Sequence, residues 1–386
     1  MVVAVLLIVA TCLIGSVYLL INYACSGHAT FVRSMILINH GIHQAIWVPS
    51  LLRVYLLGIA ETVLTVIFKR GLFGAPSWQY YHDKVDTLIH TYRQQHAGMP
   101  VRTVIVTGIG FEIARGLLKA GFKVIIASRM TEAGKQAQDK LASHGDVQFI
   151  QMDLLSFKSV HQFVDRLKAK VPKGSIDIMI NNAGIMNTPC ALTEDGYEAQ
   201  YQTNYLSPVL LTMLVLPWMA EDGQILFASS STIYGINGIS SQRANQTYRW
   251  DGLSPYAHSK LCLALFVRTL ACQLEKKRCR IHVHAYHPGT VCTKLFAYSS
   301  VFKYRIFHPL FAFIMLTPKE GSTTPLYLCL STLSDTNGQY WAEGVPMNIP
   351  NVAYDGQSDI SKEELDRILW NQTLRACHLN PRIFDA

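Results

Sequence analysis

The chain has 386 residues, half of them hydrophobic and 16% charged, with a formal net charge of +8. This length allows one large α/β domain with extensions. The positive charge is spread along the chain, without basic clusters between aromatic residues, which argues against a nucleic-acid-binding protein. The nine cysteines include no Cys-x-x-C pair, so neither a disulfide framework nor a metal site is predicted.

The N-terminal stretch is the most apolar part of the chain. Its first 31 residues contain no Asp, Glu, Lys or Arg, and Val2–Tyr23 is long enough to cross a bilayer. A cleaved signal peptide is the alternative, but the run is too long and no basic residue precedes it. Arg33, Lys69 and Arg70 follow this run, so the positive-inside rule places the bulk of the chain in the cytosol. We therefore predict a membrane anchor within residues 1–70.

A second apolar segment runs from Ile42 to Phe68 and contains Pro49, Arg53 and Glu61. Each of these three residues is costly in the middle of a bilayer. The segment is therefore compatible with an interfacial or re-entrant helix, or with a second span that forms a hairpin with the first.

The rest of the chain alternates strands and helices. Residues 71–100 are predicted as a linker against the next domain, with helix between Tyr80 and Gln95. The predicted strands are Val101–Thr107, Lys123–Ala127, Val147–Met152, Ile176–Ile180, Gln224–Ala228 and Arg280–Tyr286. The predicted helices are Glu112–Ala120, Glu132–Ser143, Val160–Ala169, Tyr205–Met219 and a helix through Tyr256. This alternation predicts a doubly wound parallel α/β sheet, Rossmann-like, over 101–345, with a C-terminal tail over 346–386.

The stretch Ser254-Pro255-Tyr256-Ala257-His258-Ser259-Lys260 carries the first chemical signal. On a helix, Tyr256 and Lys260 lie one turn apart on the same face. An ammonium group beside a phenol favours the phenolate, so the pair predicts an acid/base centre. Taken alone, the pair is also compatible with an ordinary helix surface.

Other motifs follow in a fixed order. They are Asn181-Asn182-Ala183-Gly184, Ser230, Tyr256-x-x-x-Lys260 and Pro288-Gly289. With them, the chain from Val101 to Tyr340 resembles the short-chain dehydrogenase/reductase family, particularly its membrane-anchored retinol-dehydrogenase-like members. Thr317-Pro318-Lys319-Glu320-Gly321 and Gly338-Gln339-Tyr340 are similar to the polyprenol dehydrogenase branch.

The resemblance implies an NAD(P)-dependent alcohol dehydrogenase or carbonyl reductase. Tyr256 would be the general acid/base, and Lys260 would lower its pKa and hold the nicotinamide ribose. Ser230 would hydrogen-bond the substrate oxygen, and Asn204 would hold a water in the proton relay. From the residues alone, Ser230 could equally cap a turn and Asn204 could satisfy backbone groups at a helix end.

The resemblance also implies cofactor contacts at the strand ends. The matching positions, besides Tyr256 and Lys260, are Gly108, Ile109, Gly110, Ser128, Arg129, Asp153, Leu154, Asn182, Ala183, Gly184, Pro288, Gly289, Val291 and Thr293. Arg129 stands where an NAD enzyme has an acidic residue for the ribose 2′-hydroxyl. A guanidinium suits a 2′-phosphate, so NADP is the expected cofactor in preference to NAD.

One segment departs from the family pattern. The family's first turn reads Thr-Gly, three variable residues, Gly, one residue, Gly, whereas here Thr107-Gly108-Ile109-Gly110 leads directly into a helix. Four residues of the loop that normally presents backbone N–H groups to the pyrophosphate are therefore missing. The alternative function is a non-catalytic membrane scaffold that keeps the fold but binds cofactor poorly.

The stretch Leu295–Leu316 is aromatic and apolar, and in the family this region forms the substrate lid. It predicts a hydrophobic entrance facing the membrane, although core packing is the alternative. The expected substrate is a lipophilic alcohol or carbonyl of the retinoid, polyprenoid, steroid or fatty aldehyde class. The expected location is an endoplasmic-reticulum-like membrane with the catalytic domain in the cytosol, and a homodimer is compatible with the sequence.

Overall fold

A computed structural model describes residues 31–69, 77–108, 110–240, 252–298, 302, 304, 306, 308–331, 336–357 and 360–380. The predicted membrane span Val2–Tyr23 and the turn residue Ile109 lie outside these ranges. Within them, the strands are β1 Thr103–Thr107, β2 Lys123–Ser128, β3 Val147–Gln151, β4 Ile176–Asn181, β5 Met219–Ala228, β6 Gly238–Ile239, β7 His282–His287, β8 Tyr340–Ala342, β9 Val345–Met347 and β10 Ala353–Tyr354.

The helices surround the strands. They are α1 (31–44), α2 Ser50–Leu64, α3 Ser77–Gln95, α4 Phe111–Lys119, α5 Thr131–Leu141, α6 Phe157–Lys168, α7 Ala199–Tyr201, α8 Ser207–Val215, α9 Leu253–Lys276, α10 His308–Ile314, α11 Pro318–Gly321, α12 Thr323–Leu330 and α13 Lys362–Ala376. Two π-helical turns, Thr65–Lys69 and Gln202–Leu206, follow α2 and α7.

The main sheet confirms the predicted doubly wound fold. Its order is β3-β2-β1-β4-β5-β7-β8-β9, parallel throughout except that β9 is antiparallel to β8. The strand order reverses between β1 and β4, and ligands in such sheets bind at the carboxyl ends of strands beside this switch. The site residues predicted at strand ends therefore share one edge of the sheet.

Alternate residues of the central strands pack on opposite faces, as strand geometry requires. Ile105 and Ile125 belong to one hydrophobic core, with α6, α8, α9 and α13. Val104 and Val124 belong to the other, with α3, α4 and α12. Because both faces are covered, these strands are apolar throughout rather than alternating.

The predicted helix Tyr205–Met219 is wrong at both ends. The structure has a π-helical turn from Gln202, then α8, which ends at Val215. Pro217 lies in the following 3₁₀ turn, since proline lacks the N–H that a continued helix needs. Strand β5 consequently begins at Met219 instead of Gln224.

The second apolar segment packs on the α/β domain. The stretch Ser50–Phe68 has the length and composition of a membrane span. However, α2 buries its two charged residues, Arg53 and Glu61, in contact with the domain. The Arg53 guanidinium donates to Asn237 Oδ1, and at 3.4 Å to the His43 carbonyl.

The outer side of α2 is apolar. Leu52, Tyr55, Ile59 and Val63 are each 43% exposed or more, and they recur at helical spacing. This arrangement reverses the usual polarity of a surface helix, in which charged residues face outward.

The C-terminal helix α13 covers α9. The Arg268 Nε donates to Asp366 at 3.0 Å, and the Phe266 and Trp370 rings stack with centroids 5.4 Å apart. Helix α9, which carries Tyr256 and Lys260, is therefore enclosed by the sheet, α2 and α13.

Candidate active site

Helix α9 holds the predicted acid/base pair in the interior. Pro255 lies in its first turn, where a missing N–H costs little. Tyr256 and Lys260 are 4% and 3% exposed, and Lys260 Nζ lies 5.8 Å from the Tyr256 ring centroid. Nζ also donates a 2.7 Å hydrogen bond to the Ala228 carbonyl at the end of β5. This bond holds the amino group of Lys260 between α9 and the carboxyl end of β5.

Ser230 follows β5 and contacts the same phenol. Its side chain hydrogen-bonds Tyr256, and its hydroxyl oxygen also accepts from the Thr232 N–H at 3.3 Å. In the structure, Ser230 therefore both caps the turn and contacts Tyr256.

Asn204 lies in the π-helical turn, a feature frequently found at functional sites. Its Oδ1 accepts from the Ile185 N–H and its Nδ2 donates to the Ile185 carbonyl, both at 2.9 Å. Nδ2 also donates to the Ser259 hydroxyl at 3.1 Å. Asn204 is therefore fixed by backbone contacts and adjoins α9.

Gly184 lies close to both Asn204 and Lys260. A Cβ added there would sit 3.2 Å from Asn204 Oδ1 and 3.4 Å from Lys260 Nζ. Gly184, Asn204 and Lys260 therefore meet at the carboxyl end of β4.

The pKa values of Tyr256 and Lys260 differ from those that the Tyr-x-x-x-Lys spacing predicts. Burial raises the pKa of Tyr256 to about 12, with a Ser230 hydrogen bond opposing the rise and the Glu61 charge adding to it. Burial lowers the pKa of Lys260 to about 7. The pKa of Tyr256 is therefore raised overall, opposite to the predicted lowering, because burial penalises the charged forms of both side chains. At neutral pH the phenol is protonated and can donate.

The glycine turn packs tightly against the end of β4. Gly108 and Gly110 have φ of 71° and 44°, in the left-handed region that glycine tolerates. A Cβ on Gly110 would lie 2.7 Å from Val106 Cγ1, and one on Gly108 would lie 3.2 Å from Ala183 Cα. The turn therefore joins β1 to α4 by close packing and is too short to form the full loop of the family.

Side chains around Asn182 and Ala183 brace this turn. Asn182 Nδ2 donates to the Thr107 carbonyl at 3.2 Å, and its Oδ1 accepts from the Tyr286 hydroxyl at 3.1 Å. The Ala183 N–H donates to Thr107 Oγ1 at 3.1 Å. These bonds set the backbone at the switch point of the sheet.

The residues predicted to hold adenosine lie at the ends of β2 and β3. Ser128 Oγ is buried without a hydrogen-bond partner, and the next residue, Arg129, is exposed. Asp153 accepts from the Leu155 N–H at 3.0 Å, while the Leu154 carbonyl accepts from the Ser207 hydroxyl at 2.6 Å. An exposed guanidinium at the end of β2 is a group that can bind a phosphate.

The segment after β7 closes the same edge. Gly289 has φ of 83°, and a Cβ there would lie 2.4 Å from Leu316 Cδ1. Val291 pairs with Leu316, and Thr293 Oγ1 accepts from the Leu295 N–H at 3.4 Å. Pro288 precedes this tight turn. A nicotinamide cofactor thus fits the residues at both of its ends, and the short glycine turn leaves few backbone donors for the phosphates between them.

Three residues near this site were not predicted from sequence. Glu61 of α2 accepts from the Ser231 hydroxyl at 2.7 Å and lies 2.9 Å from His287 Nε2. A carboxylate inside an apolar helix was the available signal, but it was interpreted only as a cost to membrane insertion.

Known proteins share this organisation. A family model described as short chain dehydrogenase matches residues 102–300. Polyprenol dehydrogenase from Danio rerio is 32% identical, over 72% of this chain and 86% of that protein. Retinol dehydrogenase 13 from Homo sapiens is 30% identical, over 72% of this chain and 85% of that protein.

Solved structures show the same fold. A Mycobacterium paratuberculosis protein matches with a TM-score of 0.56 and 26% identity, covering 74% of this chain and 97% of that one. The Pseudomonas aeruginosa RhlG/NADP complex matches with a TM-score of 0.50 and 24% identity, covering 63% and 95%.

Proposed function

The chain belongs to the short-chain dehydrogenase family, and we propose that it is an NADP-dependent oxidoreductase for a lipophilic alcohol or its carbonyl. It is a short-chain alcohol dehydrogenase-type enzyme that uses a nicotinamide cofactor. The observation that carries the proposal is the buried cluster at the sheet edge, where Ser230 contacts the Tyr256 phenol and Lys260 adjoins it.

The side chains divide the acid/base work. In carbonyl reduction, Tyr256 donates its phenolic proton to the substrate oxygen, and Ser230 hydrogen-bonds that oxygen. Lys260 stabilises the phenolate that remains and Asn204 orders the water that returns the proton. The nicotinamide, when bound, supplies the hydride or accepts it in the reverse direction. A phenol that is protonated at neutral pH favours the reductive direction for proton transfer.

The choice of NADP rests on Arg129. Its side chain is exposed after β2, where a guanidinium can engage a 2′-phosphate in bidentate fashion. Ser128, the preceding residue, has a buried hydroxyl without a hydrogen-bond partner. Asn182, Ala183, Gly184, Lys260 and the segment after β7 would hold the nicotinamide end.

A lipophilic substrate is supported by the exposed apolar residues on two neighbouring elements. Besides the outer side of α2, the region before and within α10 exposes Tyr298, Tyr304, Ile306, Leu310 and Phe313 by 48% or more. Helix α10 contacts the π-helical turn that follows α2. Several exposed apolar side chains on neighbouring elements are typical of a surface that contacts lipid or an apolar ligand. The relatives named as polyprenol and retinol dehydrogenases act, by those names, on lipophilic alcohols.

We extend the proposal to location. Residues 1–70 would attach the enzyme to an endoplasmic-reticulum-like membrane, residues 71–100 would link the anchor to the cytosolic domain over 101–345, and 346–386 would form its tail. The apolar side of α2 would then rest on the lipid surface beside the substrate entrance.

The experiment is cofactor binding to the full chain in detergent micelles. At a hundredfold excess over its Kd, NADPH should stabilise the protein by about 2–3 kcal/mol in a thermal shift, and NADH should do so less. Lipid aldehydes would then be screened with NADPH. Tyr256→Phe should abolish turnover and keep most of the nucleotide shift, since it removes the hydroxyl that carries the transferable proton and leaves the other cofactor contacts in place.

The short turn between Gly108 and Gly110 favours one second candidate, a membrane scaffold that has lost cofactor binding. Folded protein that shows no shift with either nucleotide would support this candidate and refute the enzyme proposal.

A further inference from the structure

Helix α2 places a carboxylate in the wall of the candidate active site. Glu61 is 7% exposed. Its Oε2 accepts from the Ser231 hydroxyl at 2.7 Å, and its Oε1 lies 2.9 Å from His287 Nε2. These three residues come from α2, the turn after β5 and the end of β7. One carboxylate therefore connects an N-terminal helix to two separate strand ends.

Both strand ends lead directly into site residues. Ser231 is the neighbour of Ser230, which contacts the Tyr256 phenol. His287 immediately precedes Pro288-Gly289, and a Cβ added to Gly289 would lie 3.7 Å from Glu61 Oε1. A shift of Glu61 would therefore move the substrate-oxygen anchor and the cofactor segment together.

The burial of Glu61 is costly unless the carboxylate is held by partners. A leucine at this position would suit both the apolar helix and a bilayer surface. Arg53, two turns earlier, already attaches α2 to the domain through Asn237. Attachment of the helix alone does not require a second buried charge at Glu61.

The titratable groups that act on Glu61 or are acted on by it include His287, Tyr256 and Tyr340. His287 is 4% exposed, and its Nδ1 is buried without a hydrogen-bond partner. The Glu61 charge acts on the Tyr256 phenol in the direction that keeps it protonated. The contact is therefore electrostatic as well as geometric.

Resting on the proposed function, we propose that Glu61 is a positioning residue of the active site, which sets the Ser230–Ser231 turn and the His287–Gly289 segment relative to Tyr256. Helix α2 thereby completes the active site through Glu61, in addition to its proposed role in membrane attachment.

The test compares Glu61→Gln with Arg53→Met in the full chain in detergent micelles. Glu61→Gln keeps the side-chain volume and removes the charge, whereas Arg53→Met weakens the docking of α2 away from the site. We expect Glu61→Gln to lower kcat about 10- to 100-fold with a small change in KM, because the proton donor and oxygen anchor are displaced. Arg53→Met should lower Tm and leave kcat unchanged.

The pH profile separates positioning from general stability. Alcohol oxidation requires the Tyr256 phenolate, so kcat/KM rises with pH until that phenol titrates. Lys260 also titrates beside the phenol, but it is present in all three proteins. Removing the negative charge of Glu61 should displace the rise to lower pH relative to the wild type, and Arg53→Met should leave it in place. If Glu61→Gln alters stability alone, with the wild-type kcat and pH profile, the proposal is refuted. Should Glu61→Gln fold poorly, Ser231→Ala removes one of the two contacts of Glu61 and should produce a smaller loss of kcat in the same direction.

Hydrogen exchange gives a readout that does not depend on turnover. Glu61→Gln should raise amide exchange in residues 229–236 and 287–291, and Arg53→Met should raise it around Asn237 without affecting 287–291. Unchanged exchange at both segments would overturn the proposal even if the protein proved inactive. Wild-type protein without NADPH binding, in contrast, would refute the proposed function and leave the exchange test to decide on Glu61.

Discussion

Replacing Lys260 with methionine should change how stability depends on pH. Burial lowers the pKa of this lysine from 10.5 to about 7. Between those values the unfolded chain binds a proton that the folded chain does not, so folding stability rises with pH across the window. The Lys260→Met variant lacks this term, whereas all other titrating groups are common to both proteins.

The magnitude follows from the two pKa values. Each pH unit within the window corresponds to ~1.4 kcal/mol, and the lysine is already half-deprotonated at the lower edge. From pH 7 to pH 9, the wild type should therefore gain about 2 kcal/mol of stability relative to Lys260→Met. Denaturant unfolding of both proteins at several pH values measures this difference directly.

The matched control is Lys276→Met, at the exposed end of the same helix. Lys276→Met removes a charge from the same helix without removing a buried one. A stability difference between the wild type and Lys260→Met that does not change with pH would refute the argument, because it would show that the ammonium group stays charged in the folded protein. Turnover should be lost in Lys260→Met and retained in Lys276→Met.

Three further predictions concern the cofactor site and the core. Inserting Ser-Ser-Ser-Gly between Gly108 and Ile109 restores the family spacing. It should tighten NADPH binding about tenfold, which is the effect of one charge-assisted hydrogen bond, as measured by titration calorimetry. An unchanged Kd would show that phosphate binding does not use this loop. Arg129→Asp should weaken NADPH binding and spare NADH, which a thermal shift with each nucleotide checks. Trp370→Ala removes a buried ring stacked on Phe266 and should lower the free energy of unfolding by about 3–5 kcal/mol, with a smaller loss counting against close packing of α13 on α9.

The sequence predicted the parts of the fold that depend on local pattern. Strands such as Lys123–Ser128 are β-branched runs between helical stretches, and their order alone implied a parallel sheet. The structure brings Asn204 and Ser230, which are distant in sequence, to the part of α9 that carries Tyr256 and Lys260. That prediction came from the family resemblance, since spacing gave information only about Tyr256 and Lys260.

Other features depend on tertiary contacts that no local pattern carries. The pKa of Tyr256 is set by burial, which a neighbouring lysine in the sequence does not reveal. Asn204 lies in a π-helical turn, where its side chain bonds the Ile185 backbone 19 residues earlier. His287 was overlooked because its partner, Glu61, lies 226 residues earlier.

The composition of α2 is explained by its two different surroundings. An isolated span with Arg53 and Glu61 would place both charges in lipid, and a soluble surface helix would not expose Leu52, Tyr55, Ile59 and Val63 together. Docking on the domain removes the first cost, since the charges find partners there, and contact with lipid would remove the second. The docked helix therefore belongs to the domain, and under the proposed function its exposed apolar side faces lipid. A protein that begins at Gly71 would lose Glu61 and expose the Ser231 and His287 groups it contacts, so the loss of activity in such a fragment would follow from an incomplete active site as well as from detachment.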